Sequence, residues 1–234
     1  MNASVTAREL ARATLVDTIK QAARQQVAAE GAARLSVRAV AREVGMVSSA
    51  VYRYFPSRDD LLTALIVDAY DSLGAAVEQA VATLPHERAV ARWRAACSAV
   101  RAWGTARPQE YGLIFGSPVP GYRAPTDTLA PASRVPAALL SVVRNAWTAG
   151  RLPAATDPQA LPEVLSAQLT GIGRVLDIQL PTSVLLAVAM AWTHLFGLVT
   201  FELFGQLAGT LDPADEFFAT SVSAMADAIG LLPD

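Results

Sequence analysis

The side chains best suited to binding a polyanion are concentrated between residues 34 and 58. This window holds five arginines and one acid, Glu43, which gives it a net charge of +4. Guanidinium groups bond well to phosphate oxygens and to the edge of guanine. The first 60 residues carry +3 and the remaining residues −5, so the basic charge belongs to one end of the chain. This asymmetry predicts that only the N-terminal part contacts nucleic acid.

Two short helices are predicted to position these side chains. Ser36 can cap a first helix over Val37–Val44, because its hydroxyl can accept from a free backbone N–H. Gly45 permits a tight turn, and Pro56 ends a second run over Val47–Phe55. Such a helix-turn-helix places the start of its second helix against base edges in the major groove. We expect base contacts from Val47, Ser48, Ser49 and Arg53, and phosphate contacts from Ser36, Arg38, Tyr52, Tyr54 and Arg58.

This segment resembles the TetR family of bacterial transcriptional repressors over about residues 12–65. With the family spacing intact, the resemblance is carried by Val40-Ala41, Gly45, Tyr52-Arg53-Tyr54-Phe55 and Pro56–Leu62. The family usually has Ser or Thr where this chain has Val47, and valine cannot cap a helix. We therefore expect Ser48 or Ser49 to cap the recognition helix, which would start one residue later.

The second half is similar to a TetR subgroup whose C-terminal domain is named for Trp, His and Gly. The matching residues are Trp192, His194 and Gly197, preceded by the segment Pro108–Gly116. The resemblance implies a homodimer in which the last two long helices of each chain form a four-helix bundle. It also implies a C-terminal domain that binds a small-molecule effector. We expect such a dimer to bind a palindromic operator on double-stranded DNA and to leave it when the effector binds.

Helical periodicity, broken by Gly and Pro, continues through the rest of the chain. The predicted fold is all-α, with a three-helix helix-turn-helix domain over residues 1–60 and a larger helical effector-binding and dimerisation domain over 61–234. The first residues lack the apolar stretch of a signal peptide, which predicts a cytoplasmic protein. The predicted helices span 10–30, 37–44, 47–55, 58–84, 86–106, 108–115, 128–149, 159–179, 182–207 and 214–231.

Aromatic side chains are the candidates for the effector pocket, although aromatic residues at helical spacing more often form plain core. Helical spacing partly exposes four arginines, Arg88, Arg92, Arg94 and Arg101. The interior is therefore apolar with a few donors, which suits a neutral, lipophilic effector. The candidate pocket residues are Trp103, Tyr111, Phe115 and Trp147.

The last two predicted helices carry apolar stripes suited to an interface between two chains. The first of them contains no charge between Ile178 and Phe201 and is long enough to span a membrane. Polar residues interrupt it and no basic flank follows, so a buried helix is favoured and no membrane contact is expected. The predicted dimer residues are Trp192, Leu195, Phe196, Val199, Leu203, Phe218, Val222, Met225 and Ile229.

No pattern for catalysis, a metal or a cofactor was recognised. Cys97 is the single cysteine, and His86 and His194 lie far apart without the spacing of metal ligands. Two alternatives stay open: a helical enzyme that retains a helix-turn-helix head, and an architectural DNA binder without a pocket. The enzyme would need titratable groups that converge, for which the candidates are Asp68, Glu110, Glu163, Asp177 and Glu202.

Overall fold

The computed structural model describes residues 6–152 and 161–233. Within these ranges the fold is all-helical, as predicted, and each predicted run corresponds to one helix. Part of the predicted helix 159–179 lies outside the described residues. The α-helices are α1 Ala7–Glu30, α2 Val37–Glu43, α3 Ser48–Tyr52, α4 Arg58–Ala82, α5 Ala89–Ala106, α6 Pro108–Phe115, α7 Leu129–Thr148, α8 Glu163–Val175, α9 Thr182–Leu203 and α10 Asp215–Ile229.

Most helix ends differ from the prediction by one to four residues. Helix α1 begins at Ala7 because Thr6 and Glu9 form a capping box. The Glu9 amide donates to Thr6 Oγ1 at 3.2 Å, and the Thr6 amide donates to the Glu9 carboxylate at 2.8 Å. Helix α9 ends at Leu203, four residues before its predicted end at 207.

The described chain divides into two compact units. The first comprises the residues up to Tyr70 together with Gln109–Pro131. Apolar side chains of α1, α2, α3 and the start of α4 form its core, in which Ile19, Val40 and Val51 are fully buried. Burial of these aliphatic groups supplies most of the free energy that holds α3, which is too short to be stable alone.

Charged side chains tie α1 to α4 within the first unit. Lys20 donates to the Asp68 carboxylate at 3.0 Å, and Arg24 donates to the same carboxylate. All three side chains are partly shielded from solvent. The pairs therefore fix the direction of α1 along α4 more than they add stability, since ion pairs that water still reaches contribute little.

The second unit comprises Asp71–Pro108 and the described residues from Ala132 onward. Helix α9 packs against α5, α8 and α10, and buries seven of its side chains. By length and composition alone, α9 could also cross a membrane, a test that the core helices of globular proteins pass as well. Its contacts support the interpretation as a core helix, although Met190 and Phe201 remain exposed.

The prediction that Arg92 is partly exposed is wrong, since only 4% of the residue is accessible. Its stem lies in the core of the second unit and its Nε reaches the Val81 carbonyl at 3.4 Å. Burial lowers the pKa of Arg92. Arg101 is fixed by ion pairs. Its Nε and Nη2 donate to the two carboxylate oxygens of Glu202, each at 2.7 Å, and its Nη1 donates to Asp215 at 2.9 Å. These bonds join α5 to α9 and α10, and they raise the pKa of Arg101.

Candidate nucleic-acid interface

Helix α2 starts at the residue that the sequence indicated. The Ala39 amide donates to Ser36 Oγ at 3.4 Å, so the Ser36 hydroxyl caps the helix as predicted. The Ser36 amide in turn donates to Gln26 Oε1 at 3.1 Å, which ties the start of α2 to α1. Ser36 keeps its hydroxyl hydrogen for another acceptor, and its contact with phosphate stays a prediction.

The turn between α2 and α3 depends on Gly45, whose φ is +68°. This is the left-handed region, where a side chain would be strained. The amide of Met46 donates back to the Ala41 carbonyl at 2.8 Å and closes the turn. The predicted glycine turn of the helix-turn-helix is thereby confirmed.

The prediction that Ser48 or Ser49 caps α3 is wrong. Val47 is the N-cap residue, and no side chain accepts a hydrogen bond there. The Ala50 amide bonds the Val47 carbonyl at 2.9 Å, so the helix begins at Ser48 on backbone bonds alone. Packing replaces the cap, because Val51 is fully buried and anchors the short helix in the core of the first unit.

One side of α3 faces outward and carries most of the predicted base-reading residues. Val47 is 70% exposed and Tyr52 is 40% exposed. Ser49 and Arg53 are exposed as well, whereas Ser48 is half-buried. A side chain must be free of its own fold to reach a base edge, and this surface meets that condition.

Four arginines between residues 34 and 53 have no internal partner among the described residues. The arginines that share this property are Arg34, Arg38, Arg42 and Arg53, all of them exposed. Their guanidinium groups form no hydrogen bond or ion pair with any residue in the described ranges. Exposed guanidinium groups without internal partners are available to bond the phosphates of a nucleic-acid backbone.

Tyr54 lies at the end of the recognition segment and is half-buried. It packs against the core of the first unit, and the Arg12 guanidinium sits 5.7 Å from its ring centre. The ring therefore joins the N-terminal part of α1 to the end of the recognition segment. Its predicted phosphate contact is not tested by this arrangement.

Arg58 lies in a different environment from the four unpaired arginines. Its Nε donates to the Leu35 carbonyl at 3.1 Å, and its Nη2 donates to the carbonyls of Ala32 and Ala33 at 2.9 and 3.2 Å. Its Nη1 pairs with Asp59 at 3.2 Å. Four of the five guanidinium N–H groups are thus used inside the first unit. Sequence spacing gave no signal for this clamp, because the three carbonyls lie 23 to 26 residues away.

The four predicted effector-pocket residues are divided between the two units. Tyr111 and Phe115 belong to the first unit, where their ring centres lie 5.0 Å apart. Trp103 belongs to the second unit, is buried, and donates its indole N–H to Ser72 at 3.0 Å. Trp147, also in the second unit, lines a cavity with Ile178 and Leu180 among others.

The predicted dimer residues fall into two groups. Trp192 is 37% exposed, and Phe196 and Leu203 are half-buried. The others are at most 6% exposed within the single chain and pack inside the second unit: Leu195, Val199, Phe218, Val222, Met225 and Ile229.

Chemistry other than binding finds no support in the described ranges. No group of three or more His, Cys, Asp or Glu side chains there could hold a metal ion. Cys97 is buried, and burial raises the pKa of its thiol, so the reactive thiolate is disfavoured.

Comparison with known proteins places both parts of the chain in one family. Residues 19–65 match the family described as "Bacterial regulatory proteins, tetR family", and residues 93–225 match "Tetracyclin repressor-like, C-terminal domain". The HTH-type transcriptional regulator Rv1816 of Mycobacterium tuberculosis is 37% identical over 216 residues, which cover 89% of this chain and 90% of that protein. The regulator Mb1846 of Mycobacterium bovis matches with the same figures.

Solved structures agree with this assignment. The crystal structure of the regulatory protein SCO4313 has a TM-score of 0.78 and 34% identity, covering 95% of this chain and 100% of that one. A protein from Rhodococcus sp. RHA1, at 22% identity, shares the fold with a TM-score of 0.68 over 92% of this chain and 95% of its own. The family comprises transcriptional regulators rather than enzymes, which rules out the enzyme alternative. The chain belongs to the TetR family of helix-turn-helix transcriptional regulators.

Proposed function

We propose that this protein is a cytoplasmic repressor that binds a palindromic operator as a homodimer and is released by a small, uncharged, lipophilic effector. Residues 1–60 form its DNA-binding domain and 61–234 its effector-binding and dimerisation domain. Trp192, His194 and Gly197 support its placement in the subgroup named for these three residue types. The observation that carries the proposal is the outward face of α3, where Val47, Ser49 and Arg53 are exposed and the Arg53 guanidinium has no partner among the described residues.

The roles of the interface residues follow from their exposure. Val47, Ser49 and Arg53 read base edges, with half-buried Ser48 at the margin. The phosphate contacts that fix the register are assigned to Ser36, Arg38, Tyr52 and Tyr54. Arg58 uses four of its five guanidinium N–H groups inside the first unit, and we assign it a structural role in place of the phosphate contact that the sequence suggested. Phosphate contacts hold all sequences alike, whereas base contacts discriminate between them.

Dimerisation is assigned to the outer side of α9. Met190, His194, Gly197 and Phe201 are all exposed and repeat at intervals of four and three residues, and Phe204 continues the series. This is the spacing of a helix that packs along a second helix. A Cβ added at Gly197 would meet nothing within 4 Å in the single chain, so packing inside one chain does not require glycine there. Close approach of a second copy would require it.

The partner in this interface is a second copy of the chain, because a palindromic operator requires two-fold symmetry. Two α9 and two α10 helices would complete a four-helix bundle. Trp192, Phe196 and Leu203 border the exposed series, while the six buried residues of the predicted set support it from inside.

The proposal is tested by sequencing genomic DNA fragments that the purified protein retains. We expect one motif with two inverted half-sites, bound by two chains. Arg53→Ala should then cost about 1–3 kcal/mol at particular positions of the motif, because a paired guanine contact is lost. Arg107→Ala removes the same charge from an exposed site in the second unit and should leave that preference unchanged. The proposal fails if no motif is enriched, or if the two variants behave alike.

A further inference from the structure

A cavity of about 550 Å³ lies beside the end of α8, where the chain turns into α9. Its walls include two side chains of opposite charge, Arg174 and Asp177. The half-buried indole of Trp147, at the end of α7, forms another part of the wall. Sites for small organic ligands measure roughly 300–1,000 Å³, so this space admits a molecule of the size of an amino acid or a dipeptide.

The turn after α8 is held in place by close backbone packing. The Ile178 amide donates to the Gly173 carbonyl at 2.8 Å, and Ile178 is buried. A Cβ added at Gly173 would lie 2.8 Å from the Ile178 carbonyl oxygen, so the chain folds back this closely only because residue 173 is glycine. Packing therefore sets the backbone that carries Arg174 and Asp177 at the cavity.

Asp177 occupies a position where the fold alone favours another residue. It follows Leu176, the C-cap of α8, and its φ is +52°, the left-handed conformation that helix ends usually give to glycine and sometimes to asparagine. The partial negative charge of a helix C-terminus favours a cation such as Arg174 in the last turn and disfavours an acid beside it. The turn therefore gives no reason for a carboxylate at 177, whereas a ligand that needs a carboxylate would supply one.

Neither charge is used inside the described part of the chain. The side chains of Arg174 and Asp177 are exposed, and they form no hydrogen bond or ion pair with each other or with another described residue. A guanidinium binds a carboxylate through paired hydrogen bonds, and a carboxylate binds an ammonium group. The rest of the wall also offers a surface for hydrocarbon or aromatic groups. Its apolar side chains include Trp147, Ile178, Leu180 and Leu185.

We propose that the cavity at the end of α8 binds a zwitterion with an apolar side group, of the amino-acid class. Arg174 binds the carboxylate of the ligand, Asp177 binds its ammonium group, and the apolar wall with Trp147 receives the side group. A simple cation or anion would meet a like charge as well as an opposite one. This site is distinct from that of the uncharged effector, because a neutral molecule would leave both charges of the cavity unused.

The test is isothermal titration calorimetry of the full chain without DNA, using L-leucine, L-phenylalanine and L-tryptophan. We expect at least one of them to saturate at one molecule per chain. Its N-acetyl form lacks the ammonium charge and its amide lacks the carboxylate, so each should bind at least about tenfold more weakly. Asp177→Asn keeps a side chain that tolerates the left-handed conformation. It should weaken the amino acid by at least about tenfold and leave the N-acetyl form unchanged.

Arg174→Gln should show the converse, with weaker binding of the amino acid and unchanged binding of the amide. The matched controls are Arg107→Gln and Glu163→Gln, at exposed charges of the second unit outside this cavity, and both should leave the affinity unchanged. The inference is overturned if none of the three amino acids saturates, if the blocked forms bind as well as the parent, or if folded Asp177→Asn or Arg174→Gln binds like the wild type. Operator binding is measured separately, so its failure refutes the proposed function and leaves this result standing.

Discussion

Replacement of Arg58 by alanine should destabilise the DNA-binding unit without reducing its contacts with phosphate. The guanidinium bonds the carbonyls of Leu35 and Ala32 in partly buried positions, and that of Ala33 in an exposed one. A hydrogen bond from a charged donor contributes about 1.5–3 kcal/mol, less where water can replace it. Because the Arg58 side chain is 31% exposed, we assign about 1–1.5 kcal/mol to each of the two shielded bonds and nothing to the third. The expected loss of unfolding free energy is about 2–3 kcal/mol.

Two measurements separate this clamp from a phosphate contact. Urea denaturation gives the loss of stability, and operator affinity at several salt concentrations gives the number of phosphates neutralised. Arg58→Ala should leave the salt slope unchanged, and Arg58→Lys should fail to restore stability, because one ammonium cannot span three carbonyls. Arg38→Ala is the control: it should keep stability within about 0.5 kcal/mol and reduce the slope by about 0.9. The reasoning is refuted if Arg58→Ala keeps full stability and flattens the slope.

Three further outcomes can be checked. Val47→Ser supplies a hydroxyl that can cap α3, so it should raise the unfolding free energy by about 0.5–1 kcal/mol in thermal melts; a lower melting temperature would contradict this. An apolar Val47 side chain at a base edge contacts the methyl group of a thymine, so replacing that operator thymine by uracil should weaken binding of the wild type but not of Val47→Ser. Phe201→Glu should give folded monomers by light scattering, while Val164→Glu, exposed on α8, should stay dimeric; equal masses would place the interface elsewhere. The Arg134 guanidinium donates to Glu78 and holds the pKa of that carboxyl below its ordinary value. The pair therefore stabilises the fold fully at a pH above the ordinary pKa of glutamate, and this stabilisation is lost as the pH falls through the lowered pKa. NMR titration of Glu78 should show the lowered pKa, and Arg134→Gln should return it to the ordinary range.

The elements around the interface were predictable because their signals are local. Ser36 caps α2, and Ser57 Oγ accepts from the Asp60 amide at 3.1 Å at the start of α4. Gly45 adopts the conformation that the turn requires. Each of these signals depends on residues within four positions along the chain, and a sequence displays such relations directly.

The side-chain partnerships were less predictable, because they join residues that are distant in sequence. The sequence suggested that Arg58 is a surface cation, but its guanidinium donates to three carbonyls that are distant along the chain. The sequence placed Arg92 at a partly exposed helical position, but the residue is buried and its Nε donates to the Val81 carbonyl of α4. Gly171 and Gly173 both lie in α8, and the sequence does not distinguish their roles. In the structure an added Cβ at Gly173 would lie 2.8 Å from the Ile178 carbonyl oxygen, whereas one at Gly171 would meet nothing within 4 Å.

Helix α9 shows why an evenly apolar run is the hardest sequence to interpret. One side, with Leu195 and Val199, is fully buried against the rest of its unit. A second side, with Val188 and Trp192, lines an apolar pocket that α9 forms with α7 and α8, and a third presents Phe201 to solvent. Each surface is apolar for a different reason, so together they remove the polar stripe from which a helix face is normally recognised. The effects of substitution should therefore separate by position: shortening Val199 lowers stability, whereas a charge at Phe201 changes association between chains.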